Sequence, residues 1–417
     1  YLAESAIPQG GLGLFTTIDI NKGEQAQSMQ DVCIMINERP RGFGSHSFGG
    51  GMWHGGYDGD HTRAACEGFA TLFNAMPKKG NVRTSRLSHT EKHTDNAGLR
   101  RETHPGAGAI TQYYGIDSVA ARDIAAGSEL TFDYGDREFE KGKTYVPPTR
   151  PVDWIENQGM CIDNIKIKQA TDPQMGRGAF ARRALSKGYL VAPAPIEFYR
   201  SRSELTIQGK PESIFVNYCL QPKGSEMLLY PYGPGVNLIN HSSRKPNVEF
   251  RWSTHHTHHS QWLDLSLPEF WEMIYHGGMI LDVVALRDIS EDEELFMDYG
   301  SDFEEAWDEH VKQWQPMEGA KNYVYPSDMD RKESFRTVEE QKTNPYPKNL
   351  ATVCEPHFEK GKYEKQLKLE WKEHYNFDWP EGRYLCNILK RKKNYRTKEF
   401  EYEVSMEFRR LEQPLHD

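Results

Sequence analysis

The chain has 417 residues, 37% of them hydrophobic and 12% aromatic, with a formal net charge of −10 and six cysteines. That length exceeds one ordinary core, so two or three domains are expected. The acidic balance argues against a general phosphate-binding surface, hence against direct nucleic-acid binding, and favours cationic partners such as lysine- or arginine-rich polypeptides.

No apolar run approaches the roughly 18 residues that a membrane span needs. The cysteines Cys33, Cys66, Cys161, Cys219, Cys354 and Cys386 stand singly, without a CxxC pair. This excludes a zinc module and a dense disulfide scaffold, and most of the six read as buried small apolar residues. No signal peptide is visible, but the first residue is Tyr1, so the compartment stays open, the secretory pathway included.

The first segment opens with Gly11-Leu-Gly13-Leu-Phe15 and continues to Lys22-Gly23-Glu24, an alternating strand and a turn that predict a hairpin start. Residues 41–59 are rich in glycine and aromatics and predict an ordered loop, since no GxxxxGK[ST] phosphate cradle is present. Leu72-Phe-Asn74-Ala75 through Asn81-Val82 follows, and Arg83 to Gly108 reads as an exposed polar loop. Arg122-Asp123-Ile124 and Glu129 to Tyr134-Gly135 close the segment. Residues 141–151, with Pro147, Pro148 and Pro151, predict a linker.

The second segment repeats the first. Gly176-Arg177-Gly178-Ala-Phe180 and Lys187-Gly188 follow Gly11 and Lys22 by 165 residues, and Asn240-His241 through Asn247-Val248 follows Asn74-Ala75 by 166. Arg287-Asp288-Ile289 and Glu294 to Asp298-Tyr299-Gly300 again keep the 165-residue offset. Landmarks at one nearly constant offset define a duplication whose unit is a whole domain.

Leu267 to Ile274 predicts a short helix with Pro268 in its first turn, and Asp302 to Trp314 a second one with Phe303, Trp307, Val311 and Trp314 at three- and four-residue spacing. His255, His256, His258 and His259 read as a solvated loop, because no acidic or cysteine partner stands at ligand spacing; no metal site is expected. From about residue 319 the chain becomes aromatic and highly charged, with a half-exposed strand over Glu399 to Phe408 and a basic run, Lys390 to Lys393, that reads as a solvated hairpin turn.

These landmarks, in this order and twice over, resemble the SET-domain protein lysine methyltransferases. The resemblance implies a mainly β fold with some α (α+β): two SET-like domains of short β-sheets with a knot-like C-terminal crossing, plus a small C-terminal α+β appendage. The expected bounds are a degenerate copy at 1–140, a linker at 141–151, a catalytic copy at 152–318 and the appendage at 319–417. It also implies S-adenosylmethionine as methyl donor, held by Gly176, Arg177, Gly178, Asn240 and His241, and a lysine-containing protein substrate, with nucleus or cytoplasm as the usual compartment.

The residue chemistry agrees with those roles. Glycines let a backbone approach a ligand closely. Asn240 offers two donors and an acceptor, and His241 can hold a purine edge through one nitrogen while the other is fixed; buried Asn and His also serve backbone groups, the competing use. Tyr299 is the catalytic candidate, a hydroxyl beside the methyl that orients a neutral amine. Tyr218, Phe250, Phe303 and Trp307 are candidates for the lysine channel, with plain core packing as the alternative.

The sequence departs from many relatives in having Ser242-Ser243 after His241 and no three-cysteine cluster after the domain. The first copy has Ala75 where the second has His241, which removes an imidazole and predicts a weakened or inactive site. The alternative to an enzyme is a non-catalytic scaffold that binds a peptide.

Overall fold

The computed structural model describes residues 1–8, 10–28, 31–36, 47–49, 63–76, 79–86, 104–105, 115–133, 149–206, 214–273, 278–316, 318–322, 324, 334–347, 350, 352–354, 384–396 and 399–406. Most of the expected glycine-aromatic loop (41–46 and 50–59), the linker residues 141–148 and Tyr134 lie outside them. The chain forms two compact units, one of Tyr1–Phe48 with Ala64–Pro316 and one of Gly49–Arg63 with Met317–Asp417.

In the larger unit the first copy consists of short strands: β1 (Leu2–Glu4), β2 (Leu12–Phe15), β3 (Asp31–Ile36), β4 (Ser47–Gly49), β5 (Arg63–Glu67), β6 (Asn74–Ala75), β7 (Val82–Arg86), β8 (Gly115–Ala120) and β9 (Glu129–Phe132). They make a four-stranded sheet in the order β1-β2-β9-β6 and a five-stranded one in the order β4-β5-β3-β8-β7. Residues 83–86 are therefore strand, not the exposed loop that their polar side chains suggest. Antiparallel pairing with β8 (Arg83 opposite Val119, Ser85 opposite Asp117) overrides local composition.

The second copy follows with α1 (Val152–Gln158), β10 (Ile165–Gln169), β11 (Arg177–Ala181), β12 (Leu190–Tyr199), β13 (Leu228–Pro231), β14 (Asn240–His241), β15 (Val248–Trp252), α2 (Leu267–Met273), β16 (Ile280–Ala285), β17 (Phe296–Met297) and α3 (Ser301–Gln313). Its sheets are β10-β11, β13-β12-β16-β15 and β14-β17. Both expected helices are present in these spans.

The duplication is visible in backbone geometry as well as in letters. Gly23 and Gly188 adopt φ values of 88° and 81°, a region that disfavours any side chain, and each N–H donates to the carbonyl of its counterpart strand, Ala120 or Ala285, at 2.8 Å. Asp123 and Asp288 accept from the N–H of Lys22 and Lys187, also at 2.8 Å. In each copy the short asparagine strand runs parallel to the last strand: Asn74 pairs with Thr131, and Asn240 with Phe296.

The copies share one hydrophobic core. Leu2, Leu14, Phe73, Val82, Leu130 and Phe132 of the first cluster with Tyr199, Phe215, Tyr230, Tyr232 and Ile280 of the second. Phe215 packs on Tyr230 at 4.5 Å between ring centroids and edge-on to Tyr199 at 5.8 Å. Leu2 and Met160 exchange two backbone hydrogen bonds of 2.8 Å. Each such side chain contributes about 1.5–3 kcal/mol when fully buried, so the second copy's stability depends on the first.

The histidine segment is packed in part: His256 and His259 are exposed, as a solvated loop predicts, whereas His258 and His255 turn inward. His258 is buried and its Nδ1 accepts from the Ile280 N–H at 3.0 Å, while His255 Nε2 donates to the Gln158 carbonyl at 2.8 Å. Backbone partners supplied by β16 and α1 draw these polar rings inward. Among the described residues, no three His, Cys, Asp or Glu side chains converge as a metal site.

The smaller unit contains α4 (Val338–Thr343), β18 (Val353–Cys354), β19 (Tyr384–Lys393) and β20 (Phe400–Met406), the strands in the order β18-β19-β20. Two sequence expectations change here. Cys354 and Cys386 form a disulfide, and Cys161 and Cys219, outside any disulfide, are half-buried, so these four are not the buried apolar fillers expected. The basic run Lys390–Lys393 ends a strand instead of forming a turn, because the acidic β20 lies opposite it and Lys390 pairs with Glu403 at 2.9 Å. Arg391 grips Glu340 of α4 with two nitrogens, at 2.8 and 3.1 Å.

Burial pushes the Asp31 carboxyl up to about 8, against the pull of the Ala70 and Phe69 N–H groups that it accepts from, and pushes Glu197 up to about 7. Free carboxyls titrate near pH 4, so the folded chain holds these protons where the unfolded chain has released them. The stabilisation is complete below about pH 4 and is lost as pH rises through the folded values. The urea midpoint is expected to fall between pH 5.5 and 8.5, with a shallower fall in Asp31→Asn; a midpoint that rises over this range contradicts the assignment.

Candidate active site

The second copy's site grows from the meeting of three segments. The first is the turn that enters β11. Asp172 caps the short turn Pro173–Met175 by accepting from the Gln174 N–H at 2.9 Å, and Gly176 then takes φ 71°, which a residue with a Cβ adopts only under strain. Gly178 is required for another reason. A Cβ there would stand 2.3 Å from Glu294 Oε1 and 3.0 Å from Asn240 Nδ2. The glycine thus makes room for protein side chains, where sequence reading assigned the space to a ligand.

The second segment is β14. Asn240 Nδ2 donates to the Arg177 carbonyl and to Glu294 Oε1, both at 3.0 Å. Both amide hydrogens are committed, so toward any ligand Asn240 presents its oxygen as an acceptor. Glu294 is buried, and its second oxygen accepts from the Thr171 N–H at 2.8 Å. That carboxylate ties β14 to the segment entering the glycine turn.

The third segment is Asp298-Tyr299-Gly300 with α3. The Tyr299 N–H donates to His241 Nδ1 at 3.0 Å, which places the imidazole proton on Nε2, where it is donated to Glu304 Oε1 at 3.1 Å. Ser243 Oγ donates to the same Glu304 oxygen at 2.6 Å. These bonds, Ser243's first, hold the Glu304 carboxyl below the usual range. With both His241 nitrogens engaged inside the protein, a ligand reaching Nε2 must share or displace Glu304. The Tyr299 hydroxyl donates to the Ile239 carbonyl in a short hydrogen bond, and the residue is 43% exposed.

Of the channel candidates, Phe303 joins this centre, 4.9 Å from Tyr299 and 5.1 Å from His241 between ring centroids. Trp307 lies one turn along α3 against His310, at 5.6 Å. Tyr218 packs on the core shared by the copies, and Phe250 packs between the two cores that flank β15. Sequence reading gave no role to Asn247, Glu294 or Glu304. Asn247 and Glu294 recur as Asn81 and Glu129, a usable signal, whereas Glu304 has no counterpart in the repeated landmarks.

Asn247 locks the crossing. Fully buried, it donates to the Glu294 carbonyl at 2.8 Å and accepts from the Phe296 N–H at 2.7 Å. In the first copy Asn81 donates to the Glu129 carbonyl and accepts from the Thr131 N–H, each at 2.8 Å. There Asn74 Nδ2 donates to the Leu12 carbonyl and to Glu129, both at 2.8 Å, while Ala75 stands where the second copy has the His241 imidazole.

A SET-domain family model matches residues 11–135 and again 176–300, together more than half of the chain. The chain belongs to the SET-domain family, in a tandem arrangement. Solved structures that resemble it include a Plasmodium falciparum candidate histone methyltransferase, with 21% identity over 33% of this chain and 94% of that one and a TM-score of 0.23. A Cryptosporidium SET8 protein matches at 19% over 33% and 57%, with a TM-score of 0.21. A polycomb repressive complex 2 from Chaetomium thermophilum, bound to S-adenosylmethionine, matches at 20% over 37% of this chain but 17% of its own, with a TM-score of 0.25. No curated protein sequence matches the chain.

Asn247→Ala strands two buried backbone groups, each worth about 1–3 kcal/mol when unpaired. A loss of roughly 2–5 kcal/mol in unfolding free energy is expected from denaturant titration; a change below about 0.5 kcal/mol, the usual surface value, contradicts its role as the lock.

Proposed function

We propose that the second copy transfers methyl groups from S-adenosylmethionine to lysine side chains of a basic protein. The observation that carries this reading is the meeting of the Gly176–Gly178 turn, Asn240-His241 and Tyr299 in one hydrogen-bonded centre. When bound, S-adenosylmethionine supplies an electrophilic methyl on a sulfonium. The donor set fits it: the Asn240 oxygen suits an ammonium group, and Arg177 at the turn is a buried cation suited to a carboxylate.

Methyl transfer to an amine is an in-line displacement, so the protein's task is alignment. The Tyr299 O–H donates to the Ile239 carbonyl, so its oxygen lone pairs meet an incoming amine as an acceptor. His241 fixes the Tyr299 backbone, and Phe303 packs edge-on against the phenol. A lysine has a pKa near about 10.4, and the loss of water on docking against these rings favours its neutral, nucleophilic form. The acidic α3, with Asp302, Glu304, Glu305, Asp308 and Glu309, favours a basic peptide as substrate.

The first copy lacks the imidazole and is read here as a structural partner. In the competing scaffold reading neither copy turns over.

The test is incubation of the full chain with labelled S-adenosylmethionine and a lysine-rich peptide library. Labelling is expected in the wild type and a loss of a hundredfold or more in Tyr299→Phe, with cofactor affinity kept. Equal labelling by the variant removes Tyr299 from catalysis, and absence of cofactor binding in calorimetry favours the scaffold.

A further inference from the structure

Two consecutive residues of the first copy stand at the second copy's site. His104 Nε2 donates to Gln174 Oε1 at 2.8 Å, and the Pro105 carbonyl accepts from His310 Nε2 at 3.3 Å. Gln174 sits in the capped turn Pro173–Met175 directly before Gly176, and His310 sits on α3, whose Glu304 holds His241. The two contacts therefore fall on two of the three segments that build the site, and both come from a copy that has lost its own imidazole.

No other described contact joins the glycine turn to the outer half of α3. The turn is otherwise tied to β14 through Asn240, and α3 is tied to β14 through Glu304. A bridge of His104 and Pro105 closes that arrangement from the opposite side. Closing it restricts how far the turn and the helix can separate, which reduces the ordering that a ligand between them would otherwise impose.

We propose that His104 is a positioning residue for the cofactor turn of the second copy, so that the first copy takes part in binding by bracing its neighbour's site. The proposal rests on the methyltransferase reading above. It predicts a loss confined to cofactor affinity, because His104 acts through Gln174 and touches no reacting group.

The full chain and four variants, His104→Ala, His104→Gln, Gln174→Ala and the double His104→Ala/Gln174→Ala, test this by calorimetry with S-adenosylmethionine and by steady-state labelling of a lysine peptide. His104→Ala is expected to raise the cofactor Kd and KM about three- to tenfold, the effect of one lost hydrogen bond, with kcat within about twofold and an unchanged melting temperature. His104→Gln, which keeps a donor at a similar reach, is expected to restore affinity to within about twofold. The double variant His104→Ala/Gln174→Ala is expected to be no weaker than the weaker single one, since both remove the same bond.

Wild-type affinity in His104→Ala overturns the proposal, as do equal losses in His104→Ala and His104→Gln, or losses that add in the double variant. A wild-type chain that binds no cofactor overturns the methyltransferase reading and this proposal with it, and is told apart because the failure precedes any substitution.

Discussion

The crossing depends on one buried amide. Asn247 joins a backbone carbonyl and a backbone N–H that flank Leu295, and so replaces the strand pairing that the tight crossing of β14 past β17 leaves out. Buried backbone groups are costly when unpaired, and an asparagine side chain supplies a donor and an acceptor on separate atoms, as two backbone partners require. Once that lock closes, Asn240 meets Glu294, and the chain beyond β17 is delivered to His241.

The first copy is a natural control for this arrangement. It keeps Asn74, Asn81, Glu129 and the same bonds, and it keeps the parallel pairing of β6 with β9, but it carries Ala75. The crossing therefore forms without an imidazole. What His241 adds is the hold on Tyr299 and, through Glu304, on α3, neither of which the crossing needs. The residue that separates the copies is thus one that the crossing does not need.

Retention of the first copy follows from packing. Its residues Leu2, Leu14, Phe73 and Phe132 are buried in the same core as Tyr199, Phe215 and Tyr230 of the second copy. A domain that has lost a polar site residue keeps every apolar contact, because the hydrophobic term depends on area and is indifferent to chemistry at the rim. Burial raises the Asp31 and Glu197 carboxyls within this larger unit, since dry surroundings disfavour charge.

The sequence alone determined the duplication, the family resemblance, the mainly β character with helices expected at Leu267 to Ile274 and Asp302 to Trp314, and the grouping of Asn240, His241 and Tyr299. These are legible because glycine turns, short alternating strands and paired motifs leave marks at fixed spacing. Tertiary structure decided the rest. It showed Gly178 yielding space to Glu294, strand pairing imposed on Arg83–Arg86 and on Lys390–Lys393, and His258 drawn inward by the Ile280 N–H. It joined Cys354 to Cys386, and it separated Phe303, at the site, from Tyr218 and Phe250, in cores. Each of these outcomes depends on a partner distant in the chain, and contacts between remote segments leave no periodic signal in either one.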